Sequence, residues 1–190
     1  MIMETNSIRQ AIINNASDLF YRNGYNNTEI SEIATSSGIS EATLFDHFNT
    51  KEEICIAHLR HRNEEFSKQV MAYVAQAPKG KERVMAIFHY LELFYQMKDF
   101  NGCWSIKVFS EVPMSNTLIK NEVQSQKNGL INYIEMLLSE NIIVDNPEEG
   151  YKVLAQKIYL LLEGAVAQSN LHKKEWPITL AKEMCYTLFK

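Results

Sequence analysis

The sequence predicts an all-α fold of about nine helices, in which a small N-terminal three-helix module runs without a linker into a larger C-terminal bundle. Three observations predict it. Apolar residues recur at i, i+3, i+4 and i+7 along nearly the whole chain. The 190 residues hold only four prolines and seven glycines, few enough to leave long uninterrupted helices. No alternating run bounded by hairpin turns appears. With 46% apolar and 22% charged residues, the chain can bury a substantial core.

Ile8, Ile12, Ala16, Leu19 and Phe20 make the stripe of a first helix over about residues 6–23, closed by Gly24. A second helix, Glu29–Ser36, carries Ile30, Ile33 and Ala34 on one side, with Thr28 placed to cap it. Gly38 supplies the positive-φ position at which that helix stops. Ser40 then restarts the chain as an N-cap for a short third helix reaching about Phe48, and Ile39 and Leu44 are spaced as a hydrophobic staple. Thr50 with Glu53 forms a capping box that opens a long fourth helix to about Gln76, where Pro78 and Gly80 intervene.

Val84, Ile87, Phe88, Leu91 and Tyr95 define the fifth helix, and residues 99–102 break it. The sixth runs Cys103–Val112 before Pro113. The seventh runs from about Ser115 to Glu140 with Leu118, Ile119, Leu130, Ile134, Leu137 and Leu138 facing inward. Asn146, Pro147, Glu148 and Glu149 open the eighth with an N-cap, proline at N1 and acids in the first turn. The ninth follows Trp176 and Pro177 and continues to the end of the chain.

Composition narrows the function classes. The first residues have neither a basic region nor an apolar run, and Glu163 breaks the most apolar later stretch, so no signal peptide or membrane span is expected and the protein should reside in the cytoplasm. Cys55, Cys103 and Cys185 are odd in number and widely spaced, which argues for reduced thiols. No cofactor is implied, and no metal site is assigned. His58, His61 and Glu65 share helical spacing, but their charged neighbours Arg60, Arg62 and Glu64 mark a solvated face. Residues 1–54 hold three basic residues and eight acids, a net charge of minus five, so phosphate neutralisation contributes little to any contact with nucleic acid.

The paired helices over about 28–48 nevertheless read as helix-turn-helix DNA recognition. Ile8, Ala16, Leu19, Phe20, Gly24, Tyr25, Thr28, Ile33, Ala34, Gly38, Ile39, Ser40, Thr43, Leu44, Phe45, His47, Phe48, Lys51 and Glu52 together resemble the TetR family of transcriptional regulators. The resemblance implies a DNA-binding domain over 5–65, an effector-binding and dimerisation domain over 66–190, and a homodimer on a near-palindromic double-stranded operator. By position, Thr28, His47 and Lys51 would hold phosphates, and Ser40, Glu41, Ala42 and Thr43 would lie nearest the base edges. The family usually has Gly at the position of Ala42 and Tyr at that of Phe45, so Phe45 is left to pack against the DNA backbone. Glu29 replaces a second threonine.

Beyond residue 54 the residues speak mainly through physics. Phe88, Phe94, Trp104, Phe109, Tyr133 and Tyr159 suit an apolar effector cavity with a few hydroxyl handles. Cys103 follows a glycine at a helix start with Lys107 one turn on, a pattern similar to a subgroup of the family that responds to electrophiles through such a cysteine. Leu154, Ile158, Leu161, Leu162, Val166, Leu180, Met184 and Leu188 form stripes that in this family would build a four-helix dimer interface. The expected function is a repressor released from DNA by a small apolar or aromatic effector. The alternatives are an all-α metal-dependent enzyme and a ligand-binding module without DNA binding.

Overall fold

The computed structural model describes residues 2–97, 99–144 and 147–189, with side chains over 7–97, 99–144 and 150–189. Among the described residues it holds nine α-helices and no strand: α1 Ile2–Asn23, α2 Ile30–Ser36, α3 Glu41–Phe45, α4 Lys51–Gln76, α5 Lys81–Gln96, α6 Trp104–Glu111, α7 Thr117–Asn141, α8 Pro147–His172 and α9 Trp176–Thr187. None of these helices is long and apolar enough to cross a membrane.

The chain divides into two compact units. The first comprises residues up to Glu65 together with Trp104–Ser125, so α6 and the start of α7 join the N-terminal helices. Its buried side chains include Ile12, Ala16, Phe20, Ile33, Leu44, Ile54 and Leu59 from α1 to α4, with Val108 and Ile119 from α6 and α7. The second comprises Phe66–Cys103 and Gln126–Lys190. Its core brings Val84, Phe88 and Leu91 of α5 against Ile134 and Leu138 of α7, Ile158 and Leu162 of α8, and Ile178 and Cys185 of α9.

Local chemistry explains most helix ends. Gly24 (φ +92°) and Gly38 (φ +69°) take the left-handed conformation that lets α1 and α2 stop. At α4 the Glu53 amide donates to Thr50 Oγ1 (3.1 Å), while the Glu53 carboxylate accepts from the Asn49 amide (2.8 Å). The capping box therefore closes one residue earlier than its usual form, on Asn49. Asn116 caps α7 by accepting from the Ile119 amide (3.1 Å).

Several expectations are corrected. Thr28 does not cap α2; it is fully buried and donates its hydroxyl to the Gly24 carbonyl (2.8 Å), leaving Glu29 as an N-cap without a side-chain bond. α3 ends at Phe45, and Phe48 is buried beyond it. Leu118 is 62% exposed because one helical step of about 100° turns it off the inward face that its neighbour Ile119, fully buried, occupies. Trp176 and Pro177 belong to α9, where the first turn requires no proline amide, and the helix stops at Thr187. The Asn146 cap lies outside the described residues, whereas Pro147 is the first residue of α8.

Candidate functional site

The α2–α3 turn presents a short helix whose inner and outer faces are sharply divided. Leu44 is fully buried and anchors α3, while Glu41 and Ala42 are exposed and Phe45 stands 44% exposed. Ser40 Oγ accepts from the Thr43 amide (3.1 Å) and lies 2.9 Å from Thr43 Oγ1, so the cap also fixes the Thr43 hydroxyl. At the start of α4, the Lys51 ammonium sits 4.6 Å over the Tyr25 ring. This contact holds the charge beside the α4 N-terminus without neutralising it.

His47 lies in an open groove lined also by Arg9, Gln10, Phe48, Arg60 and His61. The Arg9 guanidinium stacks 4.6 Å from the centre of the Phe48 ring, which brings a positive charge from α1 to the end of the recognition segment. Sequence reasoning missed Arg9, because a lone arginine on the polar side of a helix carries no local signal. Thr28 falls away from this surface, its hydroxyl being buried and occupied by Gly24. Ser40, Glu41, Ala42, Thr43, Phe45, His47 and Lys51 retain partly or fully exposed side chains.

Within the same unit α6 is tied at two points, to the end of α1 and to the turn that follows it. Lys107 donates to the carbonyls of Tyr21 (2.8 Å) and Arg22 (3.3 Å), so an ammonium caps the α1 C-terminus. Glu111 accepts from the Asn26 amide (2.8 Å), and the Asn26 side chain donates to the Glu111 carbonyl (3.0 Å). A Cβ at residue 24 would stand 2.5 Å from Glu111 Oε1, so glycine there serves this close approach as well as the turn.

Lys107 is therefore not the partner of Cys103. Cys103 precedes α6 rather than lying on its face, and the ammonium beside it is that of Lys127 on α7, 3.1 Å from Sγ and 2.7 Å from Glu163 Oε1. Burial disfavours charge on Lys127, but Cys103 and Glu163 outweigh it and raise its pKa above the ordinary lysine value. Of the predicted effector residues in the second unit, Phe94 packs edge-on to Phe66 (5.3 Å) and Phe100 (5.7 Å), and Tyr133 and Tyr159 are partly buried against the core. Phe88 is fully enclosed in that core. Trp104 and Phe109 belong to the first unit, where Trp104 faces Arg62 and Phe109 lies 3.9 Å from the Lys120 ammonium.

The helix α4 histidines are not gathered around a metal position. His58 is fully buried rather than on a solvated face, with Nδ1 2.8 Å from Ser17 Oγ of α1, while His61 faces Glu65 at 3.5 Å. The apolar stripes of α8 and α9 divide between inward and exposed positions. Ile158 and Leu162 lie in the core of their own unit, and Leu154, Leu161, Val166 and Leu188 pack partly against it. Of the predicted stripe Leu180 (47%) and Met184 (50%) stay exposed, and Leu160 (68%), Leu171 (71%) and Trp176 (51%), which lie outside it, join them. A helix with two apolar faces gives no sequence signal for which one turns inward.

Comparison with known proteins agrees with this geometry. The profile described as bacterial regulatory proteins, tetR family, matches residues 12–57, which span the end of α1 through the start of α4. The chain is 22% identical over 142 residues to the fatty acid metabolism regulator protein of Bacillus subtilis (strain 168), covering 75% of this chain and 72% of that protein. Its fold is similar to SCO4454, a TetR-family transcriptional regulator from Streptomyces coelicolor (TM-score 0.87, 20% identity, 97% of this chain and 95% of that one). It is also similar to a TetR-family regulator from Cytophaga hutchinsonii (TM-score 0.85, 16% identity, 98% and 94%).

Proposed function

We propose that this chain is a DNA-binding transcriptional regulator of the TetR family, a dimeric repressor that a small apolar effector releases from its operator. It is a regulator and not an enzyme. The observation that carries the proposal is the exposed outer face of α3, held by buried Leu44 and capped by Ser40, with Lys51 and His47 beside it. On this reading Glu41, Ala42 and Thr43 approach base edges while Lys51, His47 and Arg9 meet phosphates. The exposed apolar surface of α8 and α9 supports pairing of two copies, as a C2 dimer on a two-fold operator requires.

Control follows from population shift: effector bound in the C-terminal region favours a state in which the two recognition helices no longer match successive grooves. The ties from Lys107 to the end of α1 and from Glu111 to Asn26 in the turn before α2 support a route through α6, because a shift of α6 must move or break them. The apolar and aromatic side chains of the second unit suit an apolar effector, in keeping with a curated relative named for fatty acid metabolism. A second reading, favoured by Lys127 at 3.1 Å from Sγ, makes Cys103 a thiol whose modification acts on α6 from the residue before it.

Gel shift against the gene's own upstream region tests DNA binding, with the salt dependence measured for the wild type and Lys51→Ala. Lys51→Ala should weaken binding to all sequences alike and flatten the slope of log K against log salt by about one unit per protomer, about two for the dimer. An unchanged slope overturns the Lys51 assignment, and no retardation even at low salt favours a module without DNA binding.

A further inference from the structure

We infer that Arg62 is the counter-charge for a carboxylate carried by the effector, received beside the rings of Tyr21 and Trp104 where α1, α4 and α6 meet. The inference rests on the effector-controlled reading above, places the effector in the first unit rather than among the aromatic side chains of the second, and names the chemistry it must bring.

Seven lysines and arginines are withdrawn from full exposure among the described residues. Five of them donate to an oxygen: Arg83 to Ala77, Lys107 to Tyr21, Lys120 to Phe109, Lys127 to Glu163 and Lys182 to Glu92. The two that do not are Lys51, on the proposed DNA face, and Arg62. Lys51 has the operator phosphate as its partner in that reading. Arg62 lies about three turns further along the same helix, against the buried rings of Tyr21 of α1 and Trp104 of α6.

The surroundings of Arg62 are built rather than incidental. Its guanidinium carbon lies 5.3 Å from the Tyr21 ring centre and 5.6 Å from that of Trp104. Both rings are more than nine-tenths buried. Arg62 Nε is buried with no hydrogen-bond partner, and no carboxylate stands within ion-pair distance among the described residues. Two residues away on the same helix, Arg60 does find one, Glu122 at 2.8 Å.

Aromatic faces stabilise a guanidinium but satisfy none of its N–H donors, so the site keeps a planar fork of the shape that a carboxylate accepts in bidentate fashion. A single fixed charge suits a monoanion better than a phosphate dianion. The neighbouring His58 adds no second charge, since it is buried and faces Ser17. Trp104 and Tyr21 offer apolar faces to the body of the same ligand. Because Arg62 sits on α4, eleven residues beyond Lys51 at its start, pairing there acts on the helix that leads out of the recognition segment.

The test uses the full wild-type chain, with Trp104→Phe run in parallel so that the Trp104 share of the two-tryptophan emission is identified by difference. Medium- and long-chain alkyl carboxylates are titrated against it, with alcohols and alkyl phosphates of equal chain length as controls, reading Trp104 emission and release of bound DNA. Carboxylates should bind at least about tenfold more tightly than the alcohols, and Arg62→Gln should abolish that preference while still shifting DNA. Arg62→Lys, with charge but no fork, should restore part of it. Equal binding of acid and alcohol, a preference retained in Arg62→Gln, tighter binding of the phosphates, or no carboxylate binding at all each overturns the inference. If the wild type binds no DNA, the regulator reading fails separately, and the emission titration still decides the role of Arg62.

Discussion

Acidification should loosen the N-terminal unit through one residue, His58. Its imidazole is fully buried between α4 and α1, with Nδ1 2.8 Å from Ser17 Oγ, Nε2 unbonded, and the Phe20 ring centre 5.5 Å away. Burial first, and then the positive charges of Arg62 and His61, lower its pKa from 6.5 to about 3. The sign follows from proton counting. Below pH 6.5 the unfolded chain binds a proton that the folded chain refuses, so stability is full above that value and declines as pH falls toward about 3. At pH 5 the loss from this site is roughly 2 kcal/mol, a sizeable part of the ~5–15 kcal/mol that holds a domain together. Urea unfolding followed by circular dichroism, at pH 7 and pH 5, measures it. The comparison is with Ser17→Ala/His58→Leu, in which both buried polar partners are gone, so that only the contribution of this site differs. The wild type should lose about 2 kcal/mol more than this variant between the two pH values. Equal losses would show that the folded protein accepts the proton, and the account of a neutral buried His58 would be wrong.

Two further outcomes test the C-terminal region. Leu160→Glu combined with Leu171→Glu should convert the dimer to folded monomers in sedimentation experiments, because a charge on each exposed apolar position must be desolvated at the interface. A persistent dimer would place the interface elsewhere; Ile158→Glu, by contrast, should unfold the second unit. Under limiting electrophile, mass spectrometry should find Cys103 labelled before Cys55 and Cys185, both of which are buried with thiols pushed up chiefly by burial. Lys127→Met should slow that labelling, and equal rates at all three cysteines would end the sensing idea.

The parts of this structure that the sequence made legible are those decided within one helical turn. Gly38 and Ser40 mark the recognition turn because positive φ and capping are local properties, and Thr50 with Glu53 marks the start of α4 for the same reason. What stayed hidden depends on residues far apart in the chain. The ammonium beside Cys103 comes from Lys127, 24 positions away, whereas the nearer Lys107 turns to α1. His58 is followed by Arg60, Arg62 and Glu64, the local pattern of a wetted face, yet Ser17 and Phe20 enclose it. Thr28 shows the limit even for caps. Its hydroxyl found a carbonyl four residues back, a competing local bond that the same residue type forms equally well.

The acidic balance of the first 54 residues bears directly on how release works. Some of those acids are occupied within the module: Glu53 holds Asn49, and Glu32 accepts from Asn23 (3.3 Å). They add repulsion for DNA without adding contacts. If Arg9, His47 and Lys51 are the phosphate partners, each protomer neutralises at most about three phosphates, and the salt slope of a dimer cannot be steeper than about −5. One copy alone then holds DNA weakly, and operator affinity depends on both copies engaging at once. Under that condition a small change in the spacing of two recognition helices forfeits most of the binding, because the half-site still engaged has little sequence-independent attraction to retain it. A strongly basic module would resist the same change. A measured slope much steeper than −5 would mean that further cations reach the backbone, and control by spacing alone would then be insufficient to clear the operator.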